Sequence, residues 1–242
     1  MIRAVGLSKR YGPVEALRDF TLEVPPGQIL ALVGPNGAGK TTALKLLVGL
    51  LTPTAGEAWL GGFQVLRQPV EAKRLLAFVP DQPFLYEQLT ITELLNFIAG
   101  MYELPSATVQ PRAEELLSLF GLFDYRERRI SELSYGMKSR LVLLAGLLHE
   151  PKVLILDEPF FGLDPQTLRL MKQLLSERAQ QGMAILLSTH QLAIVEDLAH
   201  QIAILRTGRL IALGSFDELR RQHGGGRLED VFFHLTDAAP SS

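Results

Sequence analysis

Gly34-Pro35-Asn36-Gly37-Ala38-Gly39-Lys40-Thr41, followed by Thr42, decides how the rest of the chain is read. The stretch fits the pattern G-x-x-x-x-G-K-[ST], a loop whose backbone N–H groups wrap phosphate oxygens. Glycine suits it because a backbone without Cβ can turn its amides inward around an anion. Just before it, Gln28-Ile29-Leu30-Ala31-Leu32-Val33 reads as a short buried strand, and residues 42–50 after it keep helical spacing with no early breaker. A helix starting there adds its positive N-terminal end. Lys40 is placed to neutralise β- and γ-phosphates, and the Thr41 hydroxyl to ligate Mg²⁺. By chance, the four fixed positions coincide in about one chain in a hundred of this length. The flanking strand and helix turn the match into a nucleotide site.

Working outward, residues 1–24 read as strands with turns at Tyr11-Gly12-Pro13 and Pro25-Pro26-Gly27. Standing alone, Tyr11 reads as a strand aromatic packed on the core. Residues 52–56 form a turn, residues 57–60 enter a hairpin at Gly61-Gly62, 70–75 form a helix and 76–79 a strand. After Pro80-Asp81-Gln82-Pro83 the strands vanish. Ile91, Leu94, Leu95, Ile98, Met101 and Tyr102 mark one apolar helix face, with further helices over 113–119 and 136–148. Sheet patterns then resume: residues 152–158 end in the carboxylates Asp157-Glu158, and residues 183–190 end in His190. A helix over 166–180 separates them, and a hairpin across Thr207-Gly208 follows. Continuous apolar strands interleaved with helices imply a mostly parallel sheet covered on both faces.

Composition narrows the function. The chain has 242 residues, 47% hydrophobic and 21% charged, with a formal net charge of −2. A near-neutral balance argues against nucleic acid as the main partner. The sequence contains no cysteine, which excludes disulfides, thiolate metal sites and cysteine nucleophiles and fits a cytosolic protein. No apolar run reaches the roughly 18–20 residues of a membrane span, and Met1-Ile2-Arg3-Ala4-Val5 leads straight into polar sequence rather than a signal peptide. Direct membrane insertion is therefore not expected.

In open parallel sheets, ligands gather at the carboxyl ends of strands. Three such ends coincide here: the loop after Val33, Asp157-Glu158 after Leu156, and His190 after Leu187. Asp157 is placed to hold Mg²⁺ through water, Glu158 to polarise an attacking water, and His190 to meet the γ-phosphate. Alone, the carboxylates would read as helix caps and the histidine as structural.

Leu133-Ser134-Tyr135-Gly136-Met137-Lys138 adds a second anion-binding element, since Ser134 and Gly136 open an apolar helix. It resembles the L-S-G-G-Q signature of the ATPase subunits of ATP-binding cassette transporters, and the resemblance covers nearly the whole chain. The implied fold is a P-loop NTPase α/β core with an antiparallel β part (residues 1–82 and 151–213), an inserted helical subdomain (83–150), and a C-terminal helical extension and tail (214–242). The glycines 224–226 read as a linker and residues 236–242 as the tail.

The resemblance also implies that two ATP molecules are sandwiched in a head-to-tail dimer with a second ATPase subunit, a copy or a different chain. Ser134, Tyr135, Gly136 and Met137 then face the opposite subunit's ATP. Tyr11 stacks on adenine, Gly162-Leu163-Asp164 communicates between the sites, and His190 is the switch histidine. The helical subdomain and the Asp81-Gln82 loop face a transmembrane permease that holds the protein on the cytoplasmic side of the membrane. Phe84-Leu85-Tyr86 are docking candidates, with burial in the chain's own core as the other possibility.

The chain departs from the family pattern at Tyr135, at Met137, and at Asp81, where a glutamine usually follows the proline. The metal-side role falls to Asp81 by register or to Gln82 by side chain, and register favours Asp81. Residues 228–235 and the signature variant resemble bacterial export-type subunits. The rival from another class is a soluble cassette ATPase acting on nucleic acid or ribosomes. The compact helical lobe and the single cassette argue against it, and the presence of Glu158 and His190 argues against a non-hydrolysing regulator.

Overall fold

The computed structural model describes residues 1–237. Strands β1 (Ile2–Tyr11) and β2 (Val14–Val24) alternate buried and exposed positions over much of their length. They pair antiparallel across a two-residue turn with Gly12 at φ +56. That alternation is the mark of a sheet with one wet face. Strand β3 (Ile29–Val33) is buried throughout and runs through the phosphate loop into α1 (Lys40–Leu47). Next come β4 (Ala55–Leu60), β5 (Phe63–Gln64), α2 (Pro69–Arg74) and β6 (Leu76–Val79).

The helices α3 (Ile91–Met101), α4 (Ser106–Leu119) and α5 (Tyr135–Leu147) then form a lobe between β6 and β7 (Val153–Asp157). The chain closes with α6 (Pro165–Gln180), β8 (Ala184–Ser188), α7 (Leu192–Leu198), β9 (Gln201–Arg206), β10 (Arg209–Gly214), α8 (Phe216–Gln222) and α9 (Leu228–Asp237).

Two sheets result. An antiparallel sheet has the order β2-β1-β4-β5, and a larger one the order β10-β9-β3-β8-β7-β6. All neighbours in the larger sheet are parallel except β10, an antiparallel edge on β9. Because side chains alternate along a strand, the larger sheet has two apolar faces. Leu30, Leu32, Val153, Ile155, Ala184 and Leu186 pack with α1 and the antiparallel sheet. Ile29, Ala31, Val33, Leu154, Leu156, Ile185 and Leu187 pack with the helical lobe, α6 and α7. Each such leucine, fully removed from water, contributes roughly 1.5–3 kcal/mol. Burial on both faces explains why these strands are continuous apolar runs.

Two expectations in the lobe need correction. The helix expected over 113–119 begins at Ser106 and carries Pro111 inside it. Its start is fixed upstream, where the Pro105 carbonyl accepts the N–H groups of Thr108 (2.9 Å) and Val109 (3.1 Å). Proline then removes one hydrogen bond without ending the helix. In α3 the buried face runs through Ile91, Leu94, Leu95 and Ala99, whereas Met101 is 65% exposed. Ala99 takes the place on the buried face, one turn on from Leu95, and belongs to the same core cluster. Glycines 224–226 do connect α8 to α9, all with positive φ. Of the expected tail, residues 236 and 237 belong to α9 and the remainder lies outside the described residues.

Candidate active site

The phosphate loop is shaped by contacts that exclude side chains. A Cβ at Gly34 would lie 2.3 Å from the Leu205 carbonyl oxygen, and one at Gly39 would lie 2.5 Å from that of Ala16. Gly39 also holds φ +106 as the residue capping α1, and no side chain caps that helix. The first N–H groups of α1 therefore have no partner from a capping side chain and can serve an anion. The turn between β9 and β10 braces the loop from behind. Gly208 donates its N–H to Ala38 O (2.9 Å) and accepts from Arg18 N–H (2.8 Å).

A cavity of about 380 Å³ lies over this loop, lined by Asn36 to Thr42 together with Asp81, Asp157 and Glu158. Lys40 Nζ donates to the carbonyls of Gly34 (2.6 Å) and Pro35 (3.2 Å). Burial pushes the Lys40 ammonium below its ordinary pKa, while the carboxylates of Glu158 and Asp157 oppose the shift. Asp157 is buried and accepts a hydrogen bond from the Ser188 hydroxyl. Ser188 was not singled out from the sequence. It is the polar end of the apolar strand β8 and lies opposite Asp157 in register.

Glu158 takes φ +49, a conformation rare for a non-glycine residue. Its N–H donates to Ser188 O (2.9 Å), and its Oε2 lies 3.0 Å from His190 Nδ1. Asp81 is pushed above its ordinary pKa by burial first, then by Asp157 and Glu158, against the opposing effect of His190. Among the described residues no three such side chains are set to hold a metal by themselves. The surplus of negative charge lining this cavity suits a hard cation held through one or two carboxylates together with a nucleotide's phosphates. The residues present therefore fit Mg²⁺ and a nucleotide phosphate.

A neighbouring cavity of about 650 Å³ is shared by Asp81, Gln82, Tyr135, Glu158, Phe161 and His190. Asp81 lines both cavities, but Gln82 lines only this one. Of the four signature positions only Tyr135 reaches it. Ser134 instead caps α5 by accepting from Met137 N–H (3.3 Å), Gly136 sits in the first turn, and Met137 packs on the lobe's apolar core.

Gly162 lies under the Tyr135 ring. Leu163 packs on the core, and Asp164 caps α6 by accepting from Gln166 N–H (3.0 Å) and Thr167 N–H (2.9 Å). The Thr167 hydroxyl is the first of the hydrogen bonds holding the Asp164 carboxyl below its ordinary pKa. Tyr11 stands apart at the end of β1. It is 46% exposed with Lys9 Nζ 5.3 Å from its ring centre, so it is not a core aromatic.

A phosphate loop at one strand end, with paired carboxylates and a histidine at two others, defines a P-loop nucleotide hydrolase. A profile of the ABC transporter family matches residues 17–161, and the chain belongs to that family as an ATP-binding subunit with ATPase activity. The linearmycin resistance ATP-binding protein of Bacillus subtilis (strain 168) is 33% identical over 236 residues, 98% of this chain and 75% of that one. A daunorubicin resistance ATP-binding protein of Streptomyces coeruleorubidus is 36% identical over 226 residues, 93% of this chain and 72% of that one. A solved ATP-binding subunit of an ABC transporter is 36% identical, with a TM-score of 0.93 over 97% of this chain and 99% of that one. Among the described residues no helix is long and apolar enough to cross a membrane.

Proposed function

We propose that this chain hydrolyses ATP to drive a separate transmembrane permease in the export direction, docked at the cytoplasmic face of the membrane. The observation that carries the reading is the convergence of Lys40, Asp157 and Glu158 on one phosphate-sized cavity, with Glu158 joined to His190. The drug-resistance names of the relatives favour export.

In this reading Tyr11 stacks on adenine, and residues 34–42 cradle the phosphates with Lys40 neutralising the β- and γ-groups. Thr41, Asp157 and Asp81 would hold Mg²⁺, which would supply charge neutralisation for the phosphates. Asp81 is preferred to Gln82 because it alone of the two lines the phosphate cavity. Glu158 takes a proton from the attacking water, and His190 orients Glu158 and meets the γ-phosphate. Catalysis is positioning and charge stabilisation, with no covalent intermediate. A second ATPase subunit completes each site by bringing Ser134 and Gly136 of its signature segment to the γ-phosphate, and Gly162 to Asp164 link the two sites.

The test is affinity purification of the tagged chain from detergent-solubilised membranes, followed by identification of what travels with it. A protein with about six apolar spans is expected. Recovery with ribosomes or nucleic acid instead would overturn the reading.

A further inference from the structure

We propose that Tyr135 is a positioning residue for its own chain's site, acting through the backbone of Asp81 rather than on an opposing subunit's nucleotide. Its hydroxyl donates to the Asp81 carbonyl (3.2 Å) across 54 residues of sequence. Its ring lies over Gly162, where an added Cβ would stand 3.7 Å from Cε1. One turn on, Lys138 Nζ pairs with Glu87 Oε1 at 2.6 Å and ties α5 to the same loop a second time.

The segment needs outside support. Pro80 and Pro83 flank Asp81 and Gln82 and offer no N–H. The Asp81 backbone is the root from which its carboxylate reaches the two cavities it borders. The tyrosine hydroxyl restrains that backbone, and so holds the root of the Asp81 side chain at the border of the two cavities. A glycine or other short side chain at 135 could not reach the carbonyl. The signature helix, the Asp81 loop and the loop at Gly162 are thus joined within one chain.

The proposal rests on the reading that Asp81 faces the metal, and the experiment separates the two. Mn²⁺, a spectroscopic stand-in for Mg²⁺, is titrated by electron paramagnetic resonance into the full chain saturated with a non-hydrolysable ATP analogue. Tyr135→Phe keeps the ring over Gly162 and removes only the hydroxyl. It should raise the Mn²⁺ dissociation constant about two- to tenfold, the size of one neutral hydrogen bond, with metal-free analogue binding unchanged. Asp81→Asn should raise it at least as far, and adding Tyr135→Phe to Asp81→Asn should change nothing more.

If Asp81→Asn weakens Mn²⁺ binding and Tyr135→Phe does not, the tyrosine has no positioning role. Additive effects would place that role elsewhere than Asp81. If Asp81→Asn itself has no effect, Asp81 does not face the metal and both statements fall.

Discussion

At Glu158 a reactive side chain and an uncommon backbone conformation coincide. A non-glycine residue at φ +49 costs of order 1–3 kcal/mol and persists only where its surroundings hold it. Here Ser188 O holds the N–H and His190 meets the carboxylate. Glutamine fits the same space but cannot accept a proton, so Glu158→Gln should lower turnover by roughly 10²–10⁴-fold. ATP affinity by calorimetry should stay within about threefold of the parent chain's. Normal steady-state hydrolysis would remove Glu158 from the mechanism.

His149, outside the active site, offers a pH test. Its ring stacks on Tyr102 with centroids 3.8 Å apart, Nε2 lies 3.1 Å from Leu76 O, and Nδ1 is buried without a partner. Burial lowers its pKa from 6.5 to about 4, only partly opposed by the Leu76 carbonyl. Between those values the unfolded chain binds the proton and the folded chain does not. Stability should therefore fall as pH drops from 6.5 towards 4. Thermal unfolding across that range should show this component in the parent chain and lose it in His149→Gln. Identical pH profiles would show that the ring titrates alike in both states.

Among elements, the β9–β10 turn holds the clearest local conflict. Thr207 and Gly208 both have positive φ, at 44° and 77°. A two-residue hairpin turn of that kind prefers Asn-Gly, and a β-branched residue in the first place is strained. Thr207→Asn should stabilise the chain by about 1 kcal/mol, raising Tm by about 2–4 °C for a protein of this size. Scanning calorimetry decides it, and an unchanged Tm would mean the turn already relaxes its strain.

The same hairpin was legible in the sequence because turn chemistry is local. So were β3, β7 and β8, whose apolar runs end at the phosphate loop, the carboxylates and the histidine. The start of α4 was not, because Pro111 reads as a breaker until the Pro105 carbonyl is seen to anchor the helix upstream. Met101 was misplaced because periodicity gives a face but not where that face stops: it ends at Ala99, and Met101 in the last turn is exposed. Neither the Ser188–Asp157 hydrogen bond nor the Tyr135–Asp81 contact follows from spacing, since each joins elements far apart in the chain.

For the whole molecule, the lobe carries an apolar surface next to the site. Phe84 is 96% exposed and Tyr86 60%, and Tyr86 meets Phe97 edge-on with ring centres 5.6 Å apart. The alternative of burial in the chain's own core is thereby removed for Phe84 and Tyr86, although Leu85 does pack on it. In the proposed reading these exposed aromatics are where the permease would dock. Phe84→Asp should weaken association with the permease at least tenfold, as loss of a central aromatic anchor does. ATP affinity and Tm should be unaltered, and co-purification yield measures the effect. Full yield would place the docking surface elsewhere.

Gly208, which joins Ala38 to Arg18, has a consequence for the chain as it is made. The phosphate loop leaves the ribosome early, but its brace is translated only near the far end of the core. At about 5–20 residues per second, elongation leaves the loop unbraced for on the order of ten seconds or more. Over that interval the nascent polypeptide displays the nucleotide fingerprint without the shape that would let it capture one. Loading with nucleotide thereby becomes a late event, and a chain stalled before Gly208 should emerge empty.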